Sequence, residues 1–157
     1  MKTRELQTLW WDWLSTSERL LRSLHEQTAA VTLRDVSRVE RIQPELDILM
    51  NRLQGIDAKA VACAKALALE LNVDANLKGL VGALPKEEGQ QLHGLANRVT
   101  VVSRNVQEVL AKNRKLIENE MTYINGTLTL IARAAVLTRG PYRKRAVSQN
   151  VLVDRVA

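Results

Sequence analysis

The sequence predicts an all-α protein: an elongated antiparallel helical hairpin or bundle with coiled-coil-like packing, a long C-terminal helix and a mobile tail. Three observations carry this. Apolar residues make up 46% of the 157, yet Phe is absent and aromatics are 3%, so core volume must come from Leu, Val, Ile and Ala, the usual filling of helix–helix seams. Gly (7) and Pro (3) are too sparse to supply the turns a sheet protein needs. Long stretches also repeat apolar residues at spacings of three and four, the period of one helix face.

A first helix is predicted over about Thr3–Ala30. Leu6, Trp10, Trp13, Leu20, Leu24 and Val31 form its stripe, with Ser17 and Gln27 at the remaining seam positions and Trp11 pointing elsewhere. Trp10 and Trp13 have two readings, filling the open end of a hairpin or contacting a partner. Thr32 is placed as the cap of a second helix, with Asp35 three residues on in the manner of a capping box. Val36, Val39, Leu46, Leu49, Met50, Leu53 and Ile56 carry its stripe, and the helix runs to about Asn72. Pro44 lies inside it, where a missing amide donor predicts a kink or short break. Asn72–Asn76 reads as a turn and Leu77–Leu84 as a short helical piece. Pro85 takes the first position of the last helix, with Glu87 and Glu88 complementing the helix dipole.

The last helix, about Lys86–Leu137, is the longest, roughly 75 Å at 1.5 Å per residue. Its seam reads Leu92, Leu95, Val99, Val102, Val106, Val109, Asn113, Ile117, Met121, Ile124, Leu128, Ile131 and Ala135. Two extra four-residue steps between Val109 and Met121 are stutters that locally unwind a left-handed supercoil. Asn113 either fixes register from inside the seam or turns outward at the stutter. Arg139-Gly140-Pro141 ends the helix. The domain reading is therefore a helical domain over 1–138 and a basic, flexible tail over 139–157.

Composition also narrows function. The net charge is +6. Much of the excess lies in the tail, where Arg139, Arg143, Lys144, Arg145 and Arg155 face a single acidic residue, Asp154. The helical body is nearly balanced, which argues against a nucleic-acid face along it. A single cysteine, Cys63, excludes an intrachain disulfide and points to a reducing compartment. No secretory leader is read at Met1–Glu5 and no run of 18 apolar residues would span a membrane, so a cytoplasmic location is expected. His25 and His93 have no neighbours at metal-ligand spacing, Gly79–Gly82 lacks the lysine of a phosphate loop, and Cys63 reads as a small buried thiol with no base at a recognisable distance. No catalytic constellation, metal or cofactor is predicted. The tail, with Tyr142 and the apolar triplet Val151-Leu152-Val153, is either a segment that orders on a partner or a solvated end.

One stretch, Asn113-Arg114-Lys115-Leu116-Ile117, then Met121-Thr122-Tyr123-Ile124 and Leu128-Thr129-Leu130-Ile131, resembles the last helix of the FlgN family of flagellar export chaperones. Leu84-Pro85-Lys86-Glu87-Glu88 is similar to that family's link into the helix, and Val151-Leu152-Val153-Asp154-Arg155 to its end. The resemblance covers nearly the whole chain; Pro44 and the basic balance depart from it. It implies a cytoplasmic, non-enzymatic chaperone of flagellar type III secretion. Such a protein binds the C-terminal helices of hook–filament junction proteins, keeps them unassembled and delivers them to the export apparatus. It implies, further, that Asn113, Ile117, Met121, Ile124, Leu128, Ile131, Tyr142, Val151, Leu152 and Val153 contact the partner. Two other readings stand beside it: a nucleic-acid-associated coiled coil, suggested by the pI of 9.8, and a self-dimerising structural coiled coil. An enzyme ranks last.

Overall fold

The computed structural model describes residues 2–139, with side chains to residue 136. The described residues form four helices and no strand: α1 (Lys2–Thr32), α2 (Val36–Leu71), α3 (Leu77–Ala83) and α4 (Lys86–Arg139). The all-α expectation holds, and α4, at 54 residues, is the longest element. The chain divides into two compact units, Met1–Ala111 and a second that begins at Lys112.

Within the first unit α1 and α2 are antiparallel neighbours. Arg52 donates to the Asp12 carboxylate at 3.0 Å, and Lys2 pairs with Glu70 at 3.0 Å. Both pairs are largely solvated and mark register more than they stabilise. The α1 stripe is buried as expected: Leu6, Trp13, Ser17, Leu20, Leu24, Gln27 and Val31 are buried, with Trp10 half-buried against both core clusters. A further column, Thr16, Ser23 and Ala30 at seven-residue spacing, is buried too. The face is this wide because α1 is covered from two sides. Its core residues share one cluster with Ile42, Leu46, Leu49, Leu53 and Ile56 of α2 and with Leu95 and Val106 of α4. Trp10 and Trp13 therefore fill the core.

The α1–α2 connection differs in detail from the sequence reading. Thr32 ends α1, and its hydroxyl donates back to the Thr28 carbonyl at 2.7 Å. The cap of α2 is Asp35, whose carboxylate accepts from the Arg38 amide at 3.1 Å. The reason lies one residue earlier. Arg34 takes a left-handed conformation (φ 56°), and Asp35 N–H reaches Ala30 O while Arg34 N–H reaches Val31 O. This pair of bonds satisfies the last carbonyls of α1 and leaves Asp35 as the first residue free to cap α2. Val36, placed in the α2 stripe by its sequence, is consequently exposed.

From Val39 the stripe of α2 is regular. Val39, Ile42, Leu46, Leu49, Leu53, Ile56, Ala60, Cys63 and Leu67 alternate steps of three and four and are buried or half-buried. Pro44 does not break the helix. It sits on the exposed face, as does Glu40, whose carbonyl loses its intrahelical donor; water can satisfy that group. α2 ends as α1 does, with left-handed Asn72 (φ 54°) and the Val73 amide bonded to Ala68 O at 3.0 Å.

α3 begins at Asn76, whose side chain accepts from the Gly79 amide at 2.7 Å. It closes a second cluster in which Leu80 meets Leu6, Ala60, Cys63, Leu67 and Leu92. Gly89, in the first turn of α4, makes the close approach of α3 feasible, since a Cβ there would lie 2.9 Å from the Val81 carbonyl oxygen. Pro85 stands one position earlier than expected, at the cap, its carbonyl accepting from the Gly89 amide at 2.8 Å.

Candidate partner-binding face

The seam assigned to α4 is one geometric column pair along its length, but its exposure changes. In the first unit Leu92, Leu95 and Val106 are buried and Val99, Val102 and Val109 half-buried, all within the two core clusters. Asn113 is 2% exposed, so of its two readings the inward one fits. Ile117 and Met121 are half-buried. Then Ile124 (41%), Leu128 (40%) and Ile131 (56%) are exposed, although their spacing is as regular as that of the buried residues. The predicted site residues Asn113–Ile131 thus share one face of one helix. Tyr142, Val151, Leu152 and Val153 lie outside the described residues.

The sequence stripe left out a second exposed column. Tyr123 and Leu130 are 55% and 66% exposed, and half-buried Leu116 precedes them at the same seven-residue spacing. That spacing was the signal available in the sequence. From Met121 to Val136 there is one charged side chain, Arg133. At 3.6 residues per turn it falls on the side opposite Ile117, Ile124 and Ile131. Lys112, Arg114 and Lys115 make the start of the segment basic, against Glu118 and Glu120. Exposed apolar side chains this dense and this uncharged are unusual on a surface with no binding role.

The rest of the surface offers less. Trp11, half-exposed, lies under the Arg98 guanidinium, 5.0 Å from the ring centroid. The sequence did not pair these two. An open cleft of about 510 Å³ is lined by Thr3, Arg4, Gln7, Glu88 and Gln91, all polar. Cys63 is buried, its thiol 3.4 Å from the Lys2 carbonyl. Burial, then the Glu5 charge, push its pKa above the ordinary value of 9.0, so the thiol stays protonated at neutral pH. His25 and His93 are exposed. Among the described residues no three of His, Cys, Asp and Glu gather as metal ligands.

A model of the FlgN protein family matches residues 1–146. The chain belongs to the FlgN family. No curated protein and no solved structure matches it. Membership gives the chain the general role of a flagellar export chaperone, acting in flagellum assembly through type III secretion. FlgN is a family of chaperones. No helix among the described residues is long and apolar enough to cross a membrane.

Proposed function

We propose that this FlgN-family chain binds the C-terminal helices of hook–filament junction proteins in the cytoplasm, keeps them from assembling, and hands them to the export apparatus. The binding surface is the face from Asn113 to Ile131 together with Tyr142 and Val151–Val153. One observation carries this reading: the heptad stripe of α4 continues past Met121 with its large apolar side chains in solvent. An amphipathic helix laid along that stripe would cover it. Segments that build coiled coils on assembly have such a stripe, and covering it would keep them apart.

Calorimetric titration of the full chain with a junction protein tests the proposal. Saturable binding is expected. It should be lost in Ile124→Glu/Leu128→Glu with helicity retained, and weakened in a chain ending at Arg139. Binding unchanged by the double substitution would refute the assignment of the face.

A further inference from the structure

Resting on that reading, we infer that the second half of α4 takes two partner helices at once, one on each side of the column Ile117, Ile124 and Ile131. A single docked helix needs a narrow seam made of two adjacent columns. Here the columns are more numerous. Met121, Leu128 and Ala135 flank the central column on one side. On the other side lie small Thr127 and Ala134, and beyond them Leu116, Tyr123 and Leu130. At 3.6 residues per turn this apolar arc covers about 140° of the helix.

The same chain shows what such a width means. In α1 three adjacent columns are buried, and residues of two helices, α2 and α4, share its core cluster. One of the three columns there is small: Thr16, Ser23 and Ala30. The arc on α4 is at least as wide and likewise carries small residues beside its large ones, but its large side chains from Tyr123 to Ile131 are exposed, with Leu116, Ile117 and Met121 half-buried before them. One helix seated along Ile124 and Leu128 would leave Leu130, at 66%, in water.

Charge selects the partner's chemistry. The face is uncharged over four turns, and at 3.6 residues per turn its N-terminal approach is mixed: Arg114 and Glu120 border the Ile117 column on either side, while Lys112 and Lys115 fall on the far side with Arg133. The fitting occupant is a pair of amphipathic helices with apolar inner faces.

The test uses the full chain, a junction-protein C-terminal segment carrying two helices, and each helix alone as a synthetic peptide. The two-helix segment should bind at least tenfold more tightly than either peptide. Leu130→Glu, with Leu130→Lys as the opposite-charge control, should weaken the two-helix segment at least tenfold. It should leave the better single peptide within twofold. Ile124→Glu should weaken both. Both positions are exposed and helical, and unchanged ellipticity at 222 nm verifies folding. If both Leu130 variants bind the two-helix segment like the parent while Ile124→Glu does not, one helix covers the face and this inference fails, with the proposed function intact. Binding indifferent to Ile124→Glu as well overturns the proposed face itself. A concentration-dependent doubling of mass that Ile124→Glu abolishes would assign the face to a second copy and overturn the inference.

Discussion

Ser17 is fully buried in α1, and its hydroxyl has no hydrogen-bonding partner among the described residues. Replacing it with alanine should therefore stabilise the protein, against the usual direction of core substitutions. A buried, unsatisfied polar group costs about 1–3 kcal/mol in lost hydration. Alanine adds a few tenths through its better helix propensity. Opposing this, one oxygen atom's contacts are lost, at about 0.1–0.2 kcal/mol each, and the space left is too small to count as a cavity. The net expectation, taken at the cautious end, is a gain of about 1 kcal/mol, or roughly 2–4 °C in melting temperature for a chain of this size. Urea unfolding followed at 222 nm reads it as a higher midpoint with an unchanged slope. Ser17→Val should instead lose about 1–3 kcal/mol by overpacking. A loss of 0.5 kcal/mol or more in Ser17→Ala would show that the hydroxyl is bonded in solution and would sink the reasoning.

Three further outcomes are expected. Asp35→Ala removes the cap of α2 and should cost about 0.5–2 kcal/mol in the same unfolding assay, whereas Thr32→Ala should cost less, because Thr32 bonds only within its own helix. Arg34→Gly relieves a left-handed residue at the price of a floppier unfolded chain, for a net gain of about 0.5 kcal/mol in the same assay. The Cys63 pKa is raised by folding, so its contribution to stability should be complete below pH 9 and decline as pH rises through the folded pKa; iodoacetamide should alkylate the folded thiol far more slowly than the urea-unfolded one.

Much of this architecture is legible in the sequence because a helix seam is a local period. Leu6 through Val31 and Leu92 through Val109 can be read with no knowledge of what they face. Where the reading fails, information from outside the local period decides. Thr32 and Asp35 are both good caps, and only the left-handed backbone of Arg34, a residue type that seldom adopts it, selects between them. Ile42, which the sequence stripe omits, is buried in step with Val39 and Leu46, because the helix turns Pro44 toward solvent and keeps its register. The Trp11–Arg98 stack joins residues 87 positions apart and arises because α1 and α4 lie side by side, which no local pattern reveals. For the candidate face, Ile117–Ile131 could be read from spacing. Its exposure could not, since buried and solvated heptads have the same period. The second column at Tyr123 and Leu130 was masked by the stronger one beside it.

The exposed part of α4 is also where its own sequence supports a helix least. Thr122 to Thr129 reads Thr-Tyr-Ile-Asn-Gly-Thr-Leu-Thr, in which only the leucine ranks as a strong helix former. Summed against alanine these eight residues disfavour the helix by about 4 kcal/mol. Thr122, Thr127 and Thr129 each donate to the carbonyl four residues back, at 2.9–3.0 Å, which satisfies the hydroxyls yet competes with the backbone ladder. Burial offsets such costs around Leu92 and Val106; the exposed face beyond Met121 offers no comparable burial, and the proposed partner would supply it. Amides 122–131 should then exchange with solvent through local openings far smaller than global unfolding, and faster than amides 92–106. Adding a saturating junction-protein segment should slow 122–131 at least tenfold and leave 92–106 nearly unchanged. Hydrogen exchange with mass spectrometry resolves the two stretches. Equal protection of both in the free protein would mean that something other than a partner holds this helix, and the link between weak local propensity and partner binding would be wrong.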